Sequence, residues 1–546
     1  LTTTSNNPVR IRLSSGKGFP WTAFSGNPNG FVRGYAFDPA GNFLEGRALW
    51  EYFISFKPGA ELLNKLAETN GVFAFIIQQE NNLFASVDRL RSFPLFYADD
   101  ADGLIISDEA IRCTARPAKP LLPAQTAYLQ AGHTLGSQTL YPCVSQMLAG
   151  ELLTSGLGGI QVEGWYKHGS AIAPQEELND PASQLEAVLD NSFSRLVASA
   201  KGRQLVIPLS GGYDSRCIAA MLHKLNYPDV LCFTYGRPGS FEVDVSGKVA
   251  AALGFPWHFV EYDLELLAAY LDPQADTYRQ YASNGVSIAH EQDYFALLEL
   301  KQNGIIRPDA LFVPGFGGDV LAGSWYTHLL ESGNSDLSTV GLSDYILNSQ
   351  KFFSGRIQKG PADEAILKSI GEEIRNMNTV SEATFVNLLE SWAVRNRMSK
   401  FLVNAVRVYE FFGHEWRLPF WDSEYMDFWY GLPLSLRKNK ALYRSVLFEK
   451  LFEPRGIGIE AGNALSGIEK KNWFKDMRQF LPGPIRRAIR SGLIRKSVRD
   501  LNNQETLSRL LAARLPNGRA LKRTHDLNYI MAEDYLLHLH MRNILG

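Results

Sequence analysis

Two patterns of apolar and polar positions divide this chain. From residue 10 to about 165, short apolar or alternating runs are separated by turn residues, the mark of successive β-strands; "GVFAFIIQQ", "NLFASVD", "PLFYADD" and "GLIISDE" are the clearest. Two helical stretches interrupt them, "GRALWEYFISF" and then "PGAELLNKLAETNG", which Asn70-Gly71 stops. The polar segment "YKHGSAIAPQEELNDPAS", with Pro174 and Pro181, breaks the pattern. From about 183, helices alternate with strands: "QLEAVLDNSFSRLVASA" as helix, "QLVIPLS" as strand, "SRCIAAMLHKL" as helix, "DVLCFTYG" as strand, "EVDVSGKVAAALG" as helix and "WHFVEYD" as strand. That alternation predicts a parallel sheet with crossover helices. After about 330 the pattern is mostly helical. A length of 546 residues exceeds what one core organises, so the break predicts two domains, 1–167 and 183–546.

Charge narrows the function classes. Lys plus Arg number 55 against 57 Asp plus Glu, a balance that argues against a dedicated nucleic-acid binder. A local basic run remains, with arginines at 486, 487, 490, 495 and 499; it reads as a solvated helix face or as a dock for an anionic substrate or carrier. Cys113, Cys143, Cys217 and Cys232 show no metal spacing and fit a reducing compartment. His538 and His540, two apart on a helix, face different sides and make poor joint ligands. No apolar run reaches the roughly 18 residues of a membrane helix. The polar stretch Thr2 to Asn7 lacks a signal-peptide core. The expectation is a cytoplasmic protein without a membrane span, and a homodimer is left open.

The chemistry concentrates where strands end in glycines. In "LVIPLSGGYDSRCIAAML" the predicted strand closes on Leu209 and Ser210, turns through Gly211 and Gly212, and re-enters a helix. Such a turn presents several backbone N–H groups, together with a helix N-terminus, to one anion. No Lys stands at the Walker position, so the loop suits a pyrophosphate that becomes the leaving group. Ser210 and Ser215 add hydroxyls, and Asp214 is placed to bind Mg²⁺ beside phosphate oxygens. "ALFVPGFGGDVLAGSW" repeats the arrangement, with Gly315, Gly317 and Gly318 around Asp319. Loops at the carboxyl ends of parallel strands share one crevice, so Asp214 and Asp319 are expected to share the metal. The adenine is expected against main chain from Phe233 to Gly236 and Leu209, with Thr234, Tyr235 and Gly236 as contacts.

These motifs resemble the asparagine synthetase B superfamily. Ser210 to Ser215 is similar to its SGGxDS pyrophosphate loop, "PGFGGDVLAG" to its SGEGxDExxGG loop, and "HEWRLPFWDSEYMDFWYGLP" to its ExRxPFLD segment. "KNKALYRSVL" is similar to its KxxLR stretch. The resemblance implies an α/β protein: an N-terminal Ntn-type αββα glutaminase-like domain, then a PP-loop ATP-pyrophosphatase domain with a helical C-terminal part. It also implies an ATP- and Mg²⁺-dependent ligase that activates a carboxylate as an acyl-adenylate and joins it to an amine. The family's catalytic Lys, in an RxKxxF-like motif, is matched best by "GIEKKNWF", which nominates Lys471, then Lys470. Glu415 and Arg417 match the ExR motif, as a catalytic group or as orienters of the sheet edge.

Two departures shape the expected reaction. Glutamine-dependent relatives use a terminal Cys, whereas this sequence begins "LTTTSNN" and its first Cys is Cys113, which lacks the free α-amine. Asn70-Gly71 matches the family's oxyanion-region NG, itself an ordinary turn sequence as well. The expectation is a glutaminase-like fold without glutamine hydrolysis. Phe316 stands where asparagine synthetases carry the Glu of SGEG, which speaks against asparagine as product. "PLSGGYDSR", "FTYGRPGS" and "GGDVLAGS" resemble asparagine synthase-related proteins of bacterial surface-polysaccharide clusters. That resemblance implies amidation of a uronic acid on a nucleotide sugar or glycan, with ammonia or another amine donor. Alternatives are an intramolecular amide-forming cyclase, like β-lactam synthetases or lasso-peptide cyclases, and an ATP-binding scaffold without turnover.

Overall fold

The computed structural model describes residues 9–16, 18–114, 119–156, 158–169, 179–324, 338–350, 364, 366–368, 370–371, 382–459, 502–515 and 527–545. Its N-terminal half is built on two sheets. The larger has Gly159–Gly164, Glu151–Gly156, Asn82–Val87, Asn70–Gln79 and Asn29–Phe37 side by side and antiparallel, with Thr22–Phe24 and Phe43–Glu45 both pairing with Asn29–Phe37. The smaller runs Arg10–Arg12, Gly103–Ser107, Phe96–Asp100, Ser145–Gln146.

The strand from Asn70 to Gln79 shows why its sequence reads as an unbroken apolar run. Successive side chains point to opposite faces, and both faces are covered. Phe73, Phe75 and Ile77 meet Leu49, Trp50 and Phe53 of helix Gly46–Ile54 and Leu62 and Leu66 of helix Ala60–Glu68. Val72, Ala74 and Ile76 lie in the core that includes Leu95, Leu104 and Ile106 of the smaller sheet region. The outer side of that sheet (Phe96, Ala98, Ile105) is covered by Tyr128 of helix Leu122–Ala131 and by Ala532, Tyr535 and Leu539 of helix Leu527–Leu545. The layers are therefore helix, sheet, sheet, helix. One helix of the last layer comes from the far end of the described residues, so a boundary drawn after residue 167 separates the sequence more cleanly than the fold.

The second half carries a five-stranded, wholly parallel sheet in the order Trp257–Glu261, Val230–Gly236, Leu205–Pro208, Leu311–Phe312, Glu415–Trp416. Helices Pro181–Ala200, Tyr213–Lys224 and Phe241–Ala252 are the expected helices of this half, found with boundaries shifted by a few residues. Chain order reverses direction between Leu205–Pro208 and Leu311–Phe312, which makes the gap beyond their carboxyl ends the topological switch point of the sheet. Among the described residues no helix is long and apolar enough to cross a membrane.

A buried ion pair joins the halves. Arg33 Nη2 donates to Glu410 Oε2 at 2.8 Å with both side chains sealed from solvent, and Tyr281 donates to the same oxygen at 2.8 Å. Within the second half, Arg195 grips Asp422 with two bonds of 2.7 Å each, the forked geometry that favours Arg over Lys.

Candidate active site

At the switch point lies a cavity of about 750 Å³, between the loops that follow Leu205–Pro208 and Leu311–Phe312. The first loop is held open by its own side chains. Ser215 Oγ accepts from Ser210 N at 3.1 Å, and Ser210 Oγ accepts from Gly212 N at 3.2 Å. Helix Tyr213–Lys224 then starts at Gly212 with no side-chain cap, and Gly212, Tyr213, Asp214 and Ser215 of this helix start line the cavity. Beneath the loop, buried Arg216 donates to Gly211 O at 3.0 Å and to Ile457 O and Ile459 O at 3.1 and 2.7 Å. It fastens the turn to the segment just after Glu453–Arg455.

The second loop packs directly onto the first. A Cβ on Gly315 would lie 2.7 Å from Ser215 N, and one on Gly318 would lie 2.6 Å from Tyr443 Oη and 2.9 Å from Asp214 Cγ. Only glycine lets the two main chains approach this closely. Asp319 N donates to Asp214 Oδ2 at 3.1 Å, and Tyr443 donates to Asp214 Oδ1 at 2.8 Å. The two acidic residues, 105 positions apart in sequence, thus meet on one wall.

Burial, and then the negative charge of Asp319, push the Asp214 carboxyl up to about 7. Its two hydrogen bonds and Lys440 act in the opposite direction but do not cancel the shift. Lys440 Nζ stands 3.4 Å from Asp319 Oδ2. A carboxylate pair with its charge this poorly compensated fits a divalent cation. Two carboxylates plus phosphate oxygens and water is the donor set Mg²⁺ takes when it arrives with a nucleotide.

Residues 184–453 match the asparagine synthase family model. The match covers just under half of the chain and includes both glycine loops, every strand of the parallel sheet and Lys440. It supports the asparagine synthetase superfamily, and with it an ATP-dependent amide-forming ligase, for this asparagine synthase-type region. No match is found among curated proteins. Among solved structures, the glutamine phosphoribosylpyrophosphate amidotransferase of B. subtilis, complexed with ADP and GMP, aligns at 11% identity over 44% of this chain and 73% of its own, with a TM-score of 0.19. The NH3-dependent NAD synthetase of Campylobacter jejuni, complexed with nitrate, aligns at 16% identity over 41% of this chain and 96% of its own, with a TM-score of 0.22. These likenesses are too remote to bear on fold or activity.

Of the residues expected from sequence in the asparagine synthase-type region, Leu209, Ser210, Gly212, Asp214, Ser215, Thr234, Tyr235, Gly315 and Asp319 line the cavity. Gly211, Gly236, Gly317 and Gly318 do not line it; Gly211 and Gly318 instead provide the close approaches behind it. Thr234 spends its hydroxyl on structure, donating to Leu209 O at 2.6 Å while Trp257 Nε1 donates to it at 3.0 Å. Tyr235 stacks on Tyr262 with ring centroids 4.9 Å apart.

Glu415 is not brought to the site. It pairs in register with Leu311, which pairs with Leu205, so it sits at the amino ends of the strands, away from the cavity. Its carboxylate is bound to Arg203 and Arg417, 3.1 Å from each. The ExR segment orients the sheet edge here. Lys470, Lys471 and the basic run from 486 to 499 lie outside the described residues.

Several cavity residues carry no expectation from the sequence. Lys440 and Arg444 come from the KxxLR-like stretch, and their spacing of four with no acidic neighbour was a usable signal. Asn439 and Lys440 both hold left-handed backbone, φ 56° and 57°, which costs non-glycine residues about 1–2 kcal/mol each. His290 and Asp293 line the wall near Phe316, the His290 ring centroid 6.4 Å from that of Phe316. Burial pulls the His290 pKa down, so the ring is neutral at neutral pH. "SIAHEQDY" carries no motif that would have exposed them.

Asn70-Gly71 has a different fate. Asn70 donates to Asp422 Oδ2 at 2.8 Å and accepts from Ser423 N at 3.0 Å. The space beside it, lined also by Arg195, Arg417 and Tyr35, measures about 30 Å³, room for roughly one water molecule.

Proposed function

We propose that this protein is an AMP-forming carboxylate–amine ligase that uses ammonia, or another amine, without hydrolysing glutamine itself. The observation that carries the reading is the contact between the two glycine loops, which sets Asp214 and Asp319 together beside the uncapped helix N-terminus at a sheet switch point. In the first step a substrate carboxylate oxygen bonds to the α-phosphorus of ATP and the α–β anhydride bond breaks. The leaving pyrophosphate is received by N–H groups of the Ser210–Ser215 loop and the Ser210 and Ser215 hydroxyls. Lys440 and Arg444 add positive charge on the facing wall. Asp214 and Asp319 would hold Mg²⁺, which supplies charge neutralisation on the phosphates. In the second step the amine bonds to the acyl carbon, the acyl–oxygen bond breaks, AMP leaves and the amine nitrogen gives up a proton. Neutral His290 is the cavity group suited to receive it.

Against glutamine hydrolysis stands the use of Asn70 as an interdomain clamp, with only about 30 Å³ beside it. The acceptor we favour is a uronic acid of a nucleotide sugar or surface glycan, a reading that rests on the wording of the glycine loops. The test is to incubate the protein with Mg-ATP, nucleotide-linked uronic acids and either ammonium or glutamine, reading AMP by chromatography and the acid-to-amide mass loss of about 1 Da. AMP with amide from ammonium alone supports the proposal. AMP-free ATP binding under every condition refutes it in favour of a scaffold, and amide formed equally well from glutamine refutes the ammonia reading.

A further inference from the structure

We propose that Lys440 is an internal stand-in for the divalent cation: its ammonium holds the Asp214–Asp319 pair in the nucleotide-free protein and passes to the polyphosphate when metal and nucleotide enter together. The inference rests on the metal–nucleotide reading above. Among the described residues, Lys440 is the one cation within 4 Å of either carboxylate. Among the described residues, Asp214 accepts from neutral donors, the Tyr443 hydroxyl and the Asp319 N–H.

The contact is built to be exchanged. It is a single one, 3.4 Å long, and the Lys440 side chain keeps 30% of its surface exposed. A compact ammonium on four methylenes can swing without disturbing its base, whereas a guanidinium would lock both oxygens of a carboxylate. The base itself is fixed. Arg437, three residues earlier, donates to Leu321 O at 3.1 and 2.7 Å, tying this segment to the loop that carries Asp319. The left-handed pair Asn439–Lys440 then turns the chain into helix Ala441–Val446 along the cavity wall. From that position the ammonium can serve either the carboxylates or an anion lying over them. A metal ion arriving alone must therefore compete with Lys440, while a metal arriving with phosphates gives Lys440 a new partner.

The test uses Mn²⁺ as probe, with free aquo-Mn²⁺ followed by electron paramagnetic resonance, on the full chain and on Lys440→Met and Lys440→Arg. Without nucleotide, K440M is expected to bind Mn²⁺ about 5- to 10-fold more tightly than wild type, since one competing charge is gone. With α,β-methylene-ATP, which cannot release pyrophosphate, K440M is expected to bind the Mn²⁺–nucleotide complex about 5- to 10-fold more weakly. K440R, which keeps the charge, is expected to stay near wild type with nucleotide present. If K440M binds free Mn²⁺ no more tightly while wild type binds the Mn²⁺–nucleotide complex, the stand-in is refuted and the proposed function survives. If wild type binds no Mn²⁺–nucleotide complex at all, the metal–nucleotide reading fails and this inference falls with it.

Discussion

Two glycine-bearing segments, the strand start Asn70-Gly71 and the turn Ser210-Gly211-Gly212, meet opposite circumstances. The first abuts another part of the same chain: its Asn carboxamide is consumed by Asp422 and Ser423, and the adjoining space holds roughly one water. The Ser210 turn opens into a cavity of about 750 Å³, its helix N-terminus uncapped and a half-buried carboxylate beside it. The first starts a strand and the second follows the end of one. Whether such a strand end does chemistry is decided by what fills the space in front of it.

The largest effects should come from the open turn. Asp214→Ala or Asp319→Ala is expected to lower AMP formation by at least about a thousandfold with the circular dichroism spectrum unchanged, because the loss removes charge compensation for the departing pyrophosphate. Retained turnover in both variants would break the comparison. Gly315→Ala should be next, at about 10- to 100-fold. Its new methyl meets Ser215 N at 2.7 Å and pushes the two loops apart, which nucleotide affinity measured by calorimetry would report.

The closed strand start should answer in stability instead. Asn70→Ala removes two hydrogen bonds and leaves Asp422 and Ser423 short of partners, for an expected loss of about 1–3 kcal/mol in urea denaturation. Ammonium-dependent turnover by folded protein should be unaltered, and glutamine should remain unused. A variant equally stable but slower would give Asn70 a part in the reaction.

The smallest effect is a pH dependence. Asp214 titrates near 7 in the fold, above the ordinary carboxyl value of about 4. A raised folded value means the folded state holds its proton more tightly, so the contribution to stability is full below pH 4 and is lost as pH rises through 7. Nucleotide-free wild type should therefore lose melting temperature relative to Asp214→Asn across that window. Saturating Mn²⁺ with α,β-methylene-ATP should recover the loss at the upper end. Parallel wild-type and D214N profiles would mean that the carboxylate is not held as the structure depicts.

The alternating strands and helices, the two loops and their acidic residues were legible because backbone geometry writes itself into sequence: short apolar runs, glycines at close approach, a carboxylate just after the turn. Glu415 was misleading for a related reason. A motif identifies a segment but not the end of the strand it occupies, and its register with Leu311 puts it at the amino side. His290, Asp293 and Arg216 were illegible because their roles depend on contacts across 26 to 243 positions, for which no local spacing rule exists. The same holds for Asn70, whose partner stands 352 positions away.

Helix Leu527–Leu545 has a consequence for the birth of the molecule. The Tyr535 ring stacks on that of Tyr128 with centroids 5.8 Å apart, and its hydroxyl oxygen accepts from Gly285 N at 3.0 Å. The outer face of the smaller sheet is thus completed by residues made about 400 positions later. At a synthesis rate of about 5–20 residues per second, Phe96, Ile105 and Tyr128 wait roughly 20–80 s for their cover. During that interval the nascent chain shows an apolar sheet face to water or to any holding chaperone, and the first half of the protein matures last.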